Sequence, residues 1–206
     1  NIGEVKNYLS YSLKYFLLIM TPAVFGMSVL SRQLLVIFST EEIAANAHFV
    51  VPLIASSMFV YGVACFFNQV LFLLKKTKLI AIIWSIAALA NIALNIILIP
   101  SFGIIAAAFA TFMSYCCVFV MTWHFVPKEL RFKIDLKFLS KSIAASILMV
   151  LFVSWLNPWS FFSVLLSIIF GIAIYGILMF LFRAVGRKEI IFLKNLIKYE
   201  TAFFNK

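Results

Sequence analysis

Residues 91–111 read N-I-A-L-N-I-I-L-I-P-S-F-G-I-I-A-A-A-F-A-T, without one charged residue. The stretch predicts the end of one apolar helix, a four-residue turn at Pro100-Ser101-Phe102-Gly103, and the start of a second helix. Proline has no N–H to donate and pushes Ile99 away from helical geometry, and Gly103 would spare the turn a Cβ where two helix ends meet. Beyond the turn, Gly103, Ala107 and Thr111 recur every four residues, as do Ala106 and Ala110, so small residues line adjacent stripes that let a neighbouring backbone approach. On the preceding helix Asn91 and Asn95 share a face. An uncharged helical hairpin of this kind belongs inside a membrane.

The rest of the chain agrees. Of its 206 residues 65% are hydrophobic and 12% charged, with 24 Phe and a mean hydropathy of +1.12. This excludes a water-soluble globule. A hydrocarbon core about 30 Å thick takes about 20 apolar residues per helix, which leaves room for roughly six or seven spans. The long apolar runs lack the alternation of barrel strands, so the expected fold class is all-α, a polytopic six-transmembrane-helix bundle. Spans are expected at 15–38, 47–74, 79–99, 103–125, 142–156 and 160–182, after an interfacial leader helix at 1–14 and before a basic amphipathic tail at 183–206. Pro22 and Gly26 predict a kink in the first span. The chain starts at Asn1 without a signal sequence, and a fragment of a longer protein is expected.

The net charge of +10 is a topology signal. Lys6 and Lys14, then Lys75, Lys76 and Lys78, then the connection at 127–141, then the tail carry all but one of the 17 bases. With six spans these segments share one side, and the connections at Glu41, Ser101 and Asn157 share the other, bare of bases. The positive-inside rule then puts both ends in the cytoplasm. The charge also attracts anionic headgroups, and it is no nucleic-acid footprint.

The remaining base, Arg32, falls about 9 Å inside the outward end of the first expected span. It either snorkels to the interface or lines a wet cavity where it could meet an anion. Asn68 and Gln69 sit side by side near the cytoplasmic end of the second span. They, with Asn91 and Asn95, either bond between helices or line a substrate cavity. His48 and His124 lie near opposite ends of the bundle and read as interfacial. Cys65, Cys116 and Cys117 show no metal-ligand spacing and read as packing residues. No catalytic constellation and no cofactor motif is present, and every Asp and Glu falls in a loop, tail or leader.

The stretch at 91–111, with V-L-F-L-L-K-K-T-K at 70–78, resembles the second half of polysaccharide export proteins in the multidrug/oligosaccharidyl-lipid/polysaccharide flippase superfamily. That family pairs an Asn-rich helix with an I-P-x-x-G-I-x-G-A-A turn and a continuing A-T-x-x-S, completed here by Ser114. Ala106 stands where Gly is usual. The segment K-F-L-S-K-S-I-A-A-S-I-L-M at 137–149 also resembles the family's approach to its next helix pair. The resemblance implies the second lobe of a MATE-like flippase, partnered by an N-terminal six-helix lobe. It implies alternating-access transport of a polyprenyl-linked oligosaccharide across the cytoplasmic membrane of a prokaryote. A multidrug or organic-cation antiporter of the same superfamily would prefer acids inside the bundle, and a non-transporting membrane assembly subunit is the alternative from another class.

Overall fold

A computed structural model of the chain describes residues 2–132 and 134–184. The described residues form no strand. Their helices are α1 (Ile2–Val29), α2 (Ser31–Phe38), α3 (Glu41–Ala47), α4 (Val50–Leu73), α5 (Thr77–Phe102), α6 (Ile104–Phe125), α7 (Leu136–Leu156) and α8 (Phe161–Leu181), with a single 3-10 turn at Lys128–Leu130. Six of them, α1 and α4 to α8, are long and apolar enough to cross a membrane. The chain is a polytopic helical membrane protein.

Packing sets the order α8, α7, α1, α4, α6, α5 from one flank to the other. The broadest faces are α4 on α6 and α5 on α6, whereas α1 and α8 touch lightly across α7, and α4 and α5 lightly across α6. Two open sides result. The centre holds Leu13 and Leu17 of α1, Phe67 and Leu71 of α4, and Val118 of α6. On α6 the buried stripe is Ala106, Ala110, Ser114, Val118 and Thr122, one residue every four. Small side chains there let α4 approach, which matters because lipid tails give no hydrophobic drive to helix association. The Phe16 ring occupies the space that a Cβ on Gly62 would need, locking α1 to α4.

The bases gather at one end. Lys6 Nζ donates to the Glu129 carbonyl at 3.0 Å, Lys14 pairs with Asp135 at 3.2 Å, and Lys141 Nζ donates to the Phe182 carbonyl at 2.8 Å. The Phe67 ring stacks on Phe132 at 4.5 Å, holding the last turns of α4 against the α6–α7 connection. At the other end, uncharged but for Arg32, Glu41 and Glu42, the short helices α2 and α3 pack on each other.

Several expected limits differ in the structure. Residues 2–14 are continuous with the first span as one helix that runs through Pro22, and the regular helix is interrupted at Leu30 (φ −91°, ψ 8°). Ser28 Oγ donates back to the Val24 carbonyl at 2.6 Å, and this bond near Gly26 bends helices. Residues 31–38 are therefore a separate helix. The four-residue turn at 100–103 shrinks to one residue: α5 runs through Pro100 to Phe102, and Gly103 (φ 59°, ψ −141°) both ends α5 and starts α6. Proline in the last helical turn loses a single hydrogen bond, which the helix tolerates at its end. Nothing lies within 4 Å of a Cβ placed on Gly103, so glycine is needed for its backbone angle and not for close approach. The fifth span starts at Leu136, because Asp135 caps it by accepting from Phe138 N at 3.0 Å. The tail expected to be amphipathic lies, beyond residue 184, outside the described residues.

Candidate functional site

A groove of about 720 Å³ lies on the open side between α1 and α8, floored by α7. Pro22 and Gly26 line it from α1, Met149 and Val153 from α7, Gly171 and Tyr175 from α8. The absence of side chains makes it. A Cβ on Gly26 would stand 3.8 Å from Met149 Cε, and one on Gly171 would stand 3.4 Å from Val153 Cγ2, whereas Gly176 has open space before it. On α1 the lining runs from Leu18 to Met27, with Leu30 at the break and Leu34 beyond it, and on α8 it runs from Ser167 to Phe180. That stretch of α8 rises about 20 Å, about two thirds of a hydrocarbon core.

One polar seam crosses the floor of this groove toward the basic end. Pro22 has no N–H for the carbonyl four residues earlier, that of Leu18. Tyr175 of α8 supplies the missing donor: its hydroxyl bonds to Leu18 O at 2.9 Å and to Ser142 Oγ of α7 at 2.8 Å. Three helices meet in that seam.

Beyond it lie charged groups. Lys14 Nζ stands 3.2 Å from Asp135 Oδ2 and 4.8 Å from the centre of the Phe138 ring. The Phe138 amide donating to Asp135 and, less so, the Lys14 ammonium hold this carboxyl below the usual Asp range.

Of the residues singled out in the sequence, Asn91 and Asn95 are brought together and Arg32 lies apart from the amides. Arg32 is the second residue of α2, exposed, with its guanidinium 5.9 Å from the centre of the Trp159 ring in the α7–α8 connection. The break at Leu30 moves it out of the first span to the level of an interfacial tryptophan. Asn68 lies about 7 Å along α4 from its basic end, with Oδ1 buried and without a hydrogen-bond partner among the described residues, and Gln69 beside it is exposed. Asn95 lies about 27 Å from the basic end of α5. Its Nδ2 donates to Asn91 Oδ1 at 2.9 Å, pairing the two amides within α5. Of the small residues in the hairpin, Ala106 is buried, Ala107 and Thr111 are half-buried, and Pro100 and Gly103 are exposed. Thr111 Oγ1 donates to the Ala107 carbonyl at 2.9 Å.

Two features had weaker signals. The groove needed Gly26, Gly171 and Gly176 to be read together, across helices far apart in sequence. Tyr61, Trp84 and Tyr115, one each on α4, α5 and α6, form a ring cluster in which each touches the other two. Their mid-span positions were the available signal.

Six membrane-crossing helices, bases gathered at one end and an apolar groove along one flank define a polytopic integral membrane protein. The chain belongs to the family of the lipid II flippase MurJ, whose sequence profile matches residues 1–175. It is 28% identical over 200 residues to a protein of Haloferax volcanii described as "Probable low-salt glycan biosynthesis flippase Agl15". That match covers 95% of this chain and 41% of the relative, so the chain spans about two fifths of the length of the curated relative it matches. No solved structure matches the chain.

Proposed function

We propose that the chain is one lobe of a flippase that moves a polyprenyl-linked oligosaccharide across a membrane by alternating access. The carrying observation is the groove between α1 and α8. It is apolar, it extends along about two thirds of the hydrocarbon thickness, and its volume of about 720 Å³ lies within the usual range of ligand pockets. A polyprenyl chain fits that description, lying along α1 while its polar end is handled elsewhere. Membership of a lipid II flippase family supports the transport of such a lipid, and the relative's glycan-biosynthesis role supports a saccharide head. The protein is on this basis a transporter and not an enzyme.

The flippase works with the parts of the longer protein that the relative's greater length implies, an N-terminal six-helix lobe in particular, and with the surrounding lipids. The basic end faces the cytoplasm by the positive-inside rule, and the relative from Haloferax volcanii supports the cytoplasmic membrane of a prokaryote. An antiporter of organic cations is disfavoured, since no Asp or Glu lies in residues 15–29 or in α4 to α8.

The test fills the groove where nothing need move. Gly176→Phe in the full-length protein places a ring into open space, and cells relying on it should accumulate lipid-linked saccharide in the cytoplasmic leaflet, read by its accessibility to a membrane-impermeant sugar-modifying enzyme. Unchanged leaflet distribution in cells depleted of the wild-type protein would overturn the flippase function. Normal transport by Gly176→Phe would remove the groove from it.

A further inference from the structure

We infer that the open side shared by α4, α5 and α6 is a saccharide-binding surface, with Tyr61, Trp84 and Tyr115 as its platform and the amides of Asn68, Asn91 and Asn95 at its margins. The inference rests on the flippase function proposed above and assigns the sugar to a face separate from the groove that takes the tail.

The cluster is compact. Tyr61 and Tyr115 ring centres are 5.0 Å apart, Tyr61 and Trp84 5.9 Å, and Trp84 and Tyr115 6.3 Å. It is also deep. Tyr61 lies about 16 Å along α4 from its uncharged end, and Tyr115 about 15 Å along α6 from its basic end. Aromatic side chains with a polar edge prefer the membrane interface, where the ring is apolar and the edge wet. At this depth Tyr61 is 37% exposed, and Trp84 and Tyr115 are half-buried. A face of this kind is expensive against lipid tails.

Helical spacing places more polar groups on the same sides. Tyr61, Cys65 and Asn68 follow at intervals of four and three along α4. On α5, Trp84, Asn91 and Asn95 follow at seven and four, and on α6 Thr111 precedes Tyr115 by four. The light contact between α4 and α5 leaves the area between these stripes open. Asn68 Oδ1 and Asn95 Oδ1 are buried with no hydrogen-bond partner among the described residues. Buried polar atoms in native proteins are normally satisfied, so both amides lack a partner that the lobe alone would be expected to supply.

The chemistry selects among the parts of the proposed lipid. None of the stripes carries a charge, which disfavours a diphosphate, and their amides and hydroxyls disfavour a polyprenyl chain. A sugar ring presents an apolar C–H face to aromatic rings and hydroxyls to amides that both donate and accept. It is the part of the lipid that matches this surface.

The test uses the full-length protein in lipid nanodiscs and two probes: a polyprenyl diphosphate carrying a disaccharide, and the same polyprenyl diphosphate without sugar. Trp84→Leu should weaken binding of the sugar-bearing lipid about fivefold, the worth of one lost contact of about 1 kcal/mol, and leave the sugar-free lipid unaffected. Trp84→Phe, which keeps a ring, should recover most of the loss. Equal weakening of both lipids, or of neither, overturns the inference while the flippase function stands. Failure of the wild type to bind either lipid overturns both. In a second measurement Cys65, Cys116 and Cys117 are replaced by Ser and Ala88→Cys is introduced one turn from Trp84. A water-soluble maleimide should label it, and the sugar-bearing lipid should protect it. Absence of labelling shows the face closed to water, by lipid or by another helix, and overturns the inference.

Discussion

The hydroxyl of Tyr175 donates to the carbonyl of Leu18 at 2.9 Å, the acceptor that Pro22, four residues further on, leaves without its helical donor. A proline in α1 and a tyrosine in α8, separated by most of the chain, thus complete one hydrogen bond. In hydrocarbon an unpaired carbonyl is costly, so the pair ties together two helices that otherwise touch lightly.

Tyr175→Phe should therefore destabilise the lobe by about 1 kcal/mol, in the range of measured interhelical bonds in membranes. In a Pro22→Ala background, where the backbone N–H restored by the substitution can serve the Leu18 carbonyl, the same change should cost clearly less. A double-mutant cycle on thermal unfolding in detergent measures the difference. Equal costs in both backgrounds would show that the tyrosine does not substitute for the missing helical donor.

Arg32 stands beside Trp159 and outside the spanning part of α1. Arg32→Ala should leave transport within about twofold of wild type and lower stability by about 0.5–1 kcal/mol, the worth of an exposed cation–π contact. Export and melting temperature, measured together, decide it. A tenfold loss of export at unchanged melting temperature would return Arg32 to the transport path.

Gly103 adopts φ 59°, ψ −141° in open space. Any L-residue there is strained by its backbone alone, so Gly103→Ala and Gly103→Asn should each cost about 1–3 kcal/mol. Asparagine gains nothing over alanine, since its usual left-handed conformation has a positive ψ. Full stability of Gly103→Asn by thermal melting would contradict these angles.

Asp135 gives the lobe an acid limb. Its carboxyl is lowered in the folded chain, first by the Phe138 amide and then by Lys14, so the ionised form is favoured by folding. That contribution is complete above the unfolded value of about 3.9 and is lost as pH falls through the lower folded value. Asp135→Asn should flatten stability against pH in that acid window. Lys14→Met should flatten it less, because the amide remains. An identical acid limb in wild type and Asp135→Asn would assign it to other groups.

Much of this fold was legible because the bilayer imposes it. Unbroken apolar runs give the number of spans, and Lys75–Lys78 against Glu41 and Ser101 separates the two ends. Gly103 marks its turn correctly, but Pro100 does not, since a proline in a final helical turn disturbs little. The break at Leu30 was hidden for the converse reason: Pro22 and Gly26 are the stronger helix breakers, yet the interruption follows them at an ordinary leucine. Lys137 and Lys141 read as a polar connection, although Asp135 had already started α7. At the candidate sites, the spacing of Asn91 and Asn95 shows that they share a face, and the structure pairs them. No local pattern shows that Gly176 and Gly26 border one groove, which depends on which helices become neighbours.

The single-residue link at Gly103 has a mechanical consequence. A joint of one residue has no slack, so α5 and α6 are expected to travel as one stiff arm, carried with α4 through the close-set stripe of Ala106, Ala110 and Ser114. The opposite flank is built more compliantly. There α8 packs on α7, joins it through the left-handed turn at Asn157 (φ 41°) and rests on α1 lightly, through Tyr175. If the lobe must widen to admit a bulky chain, α8 is the helix that gives.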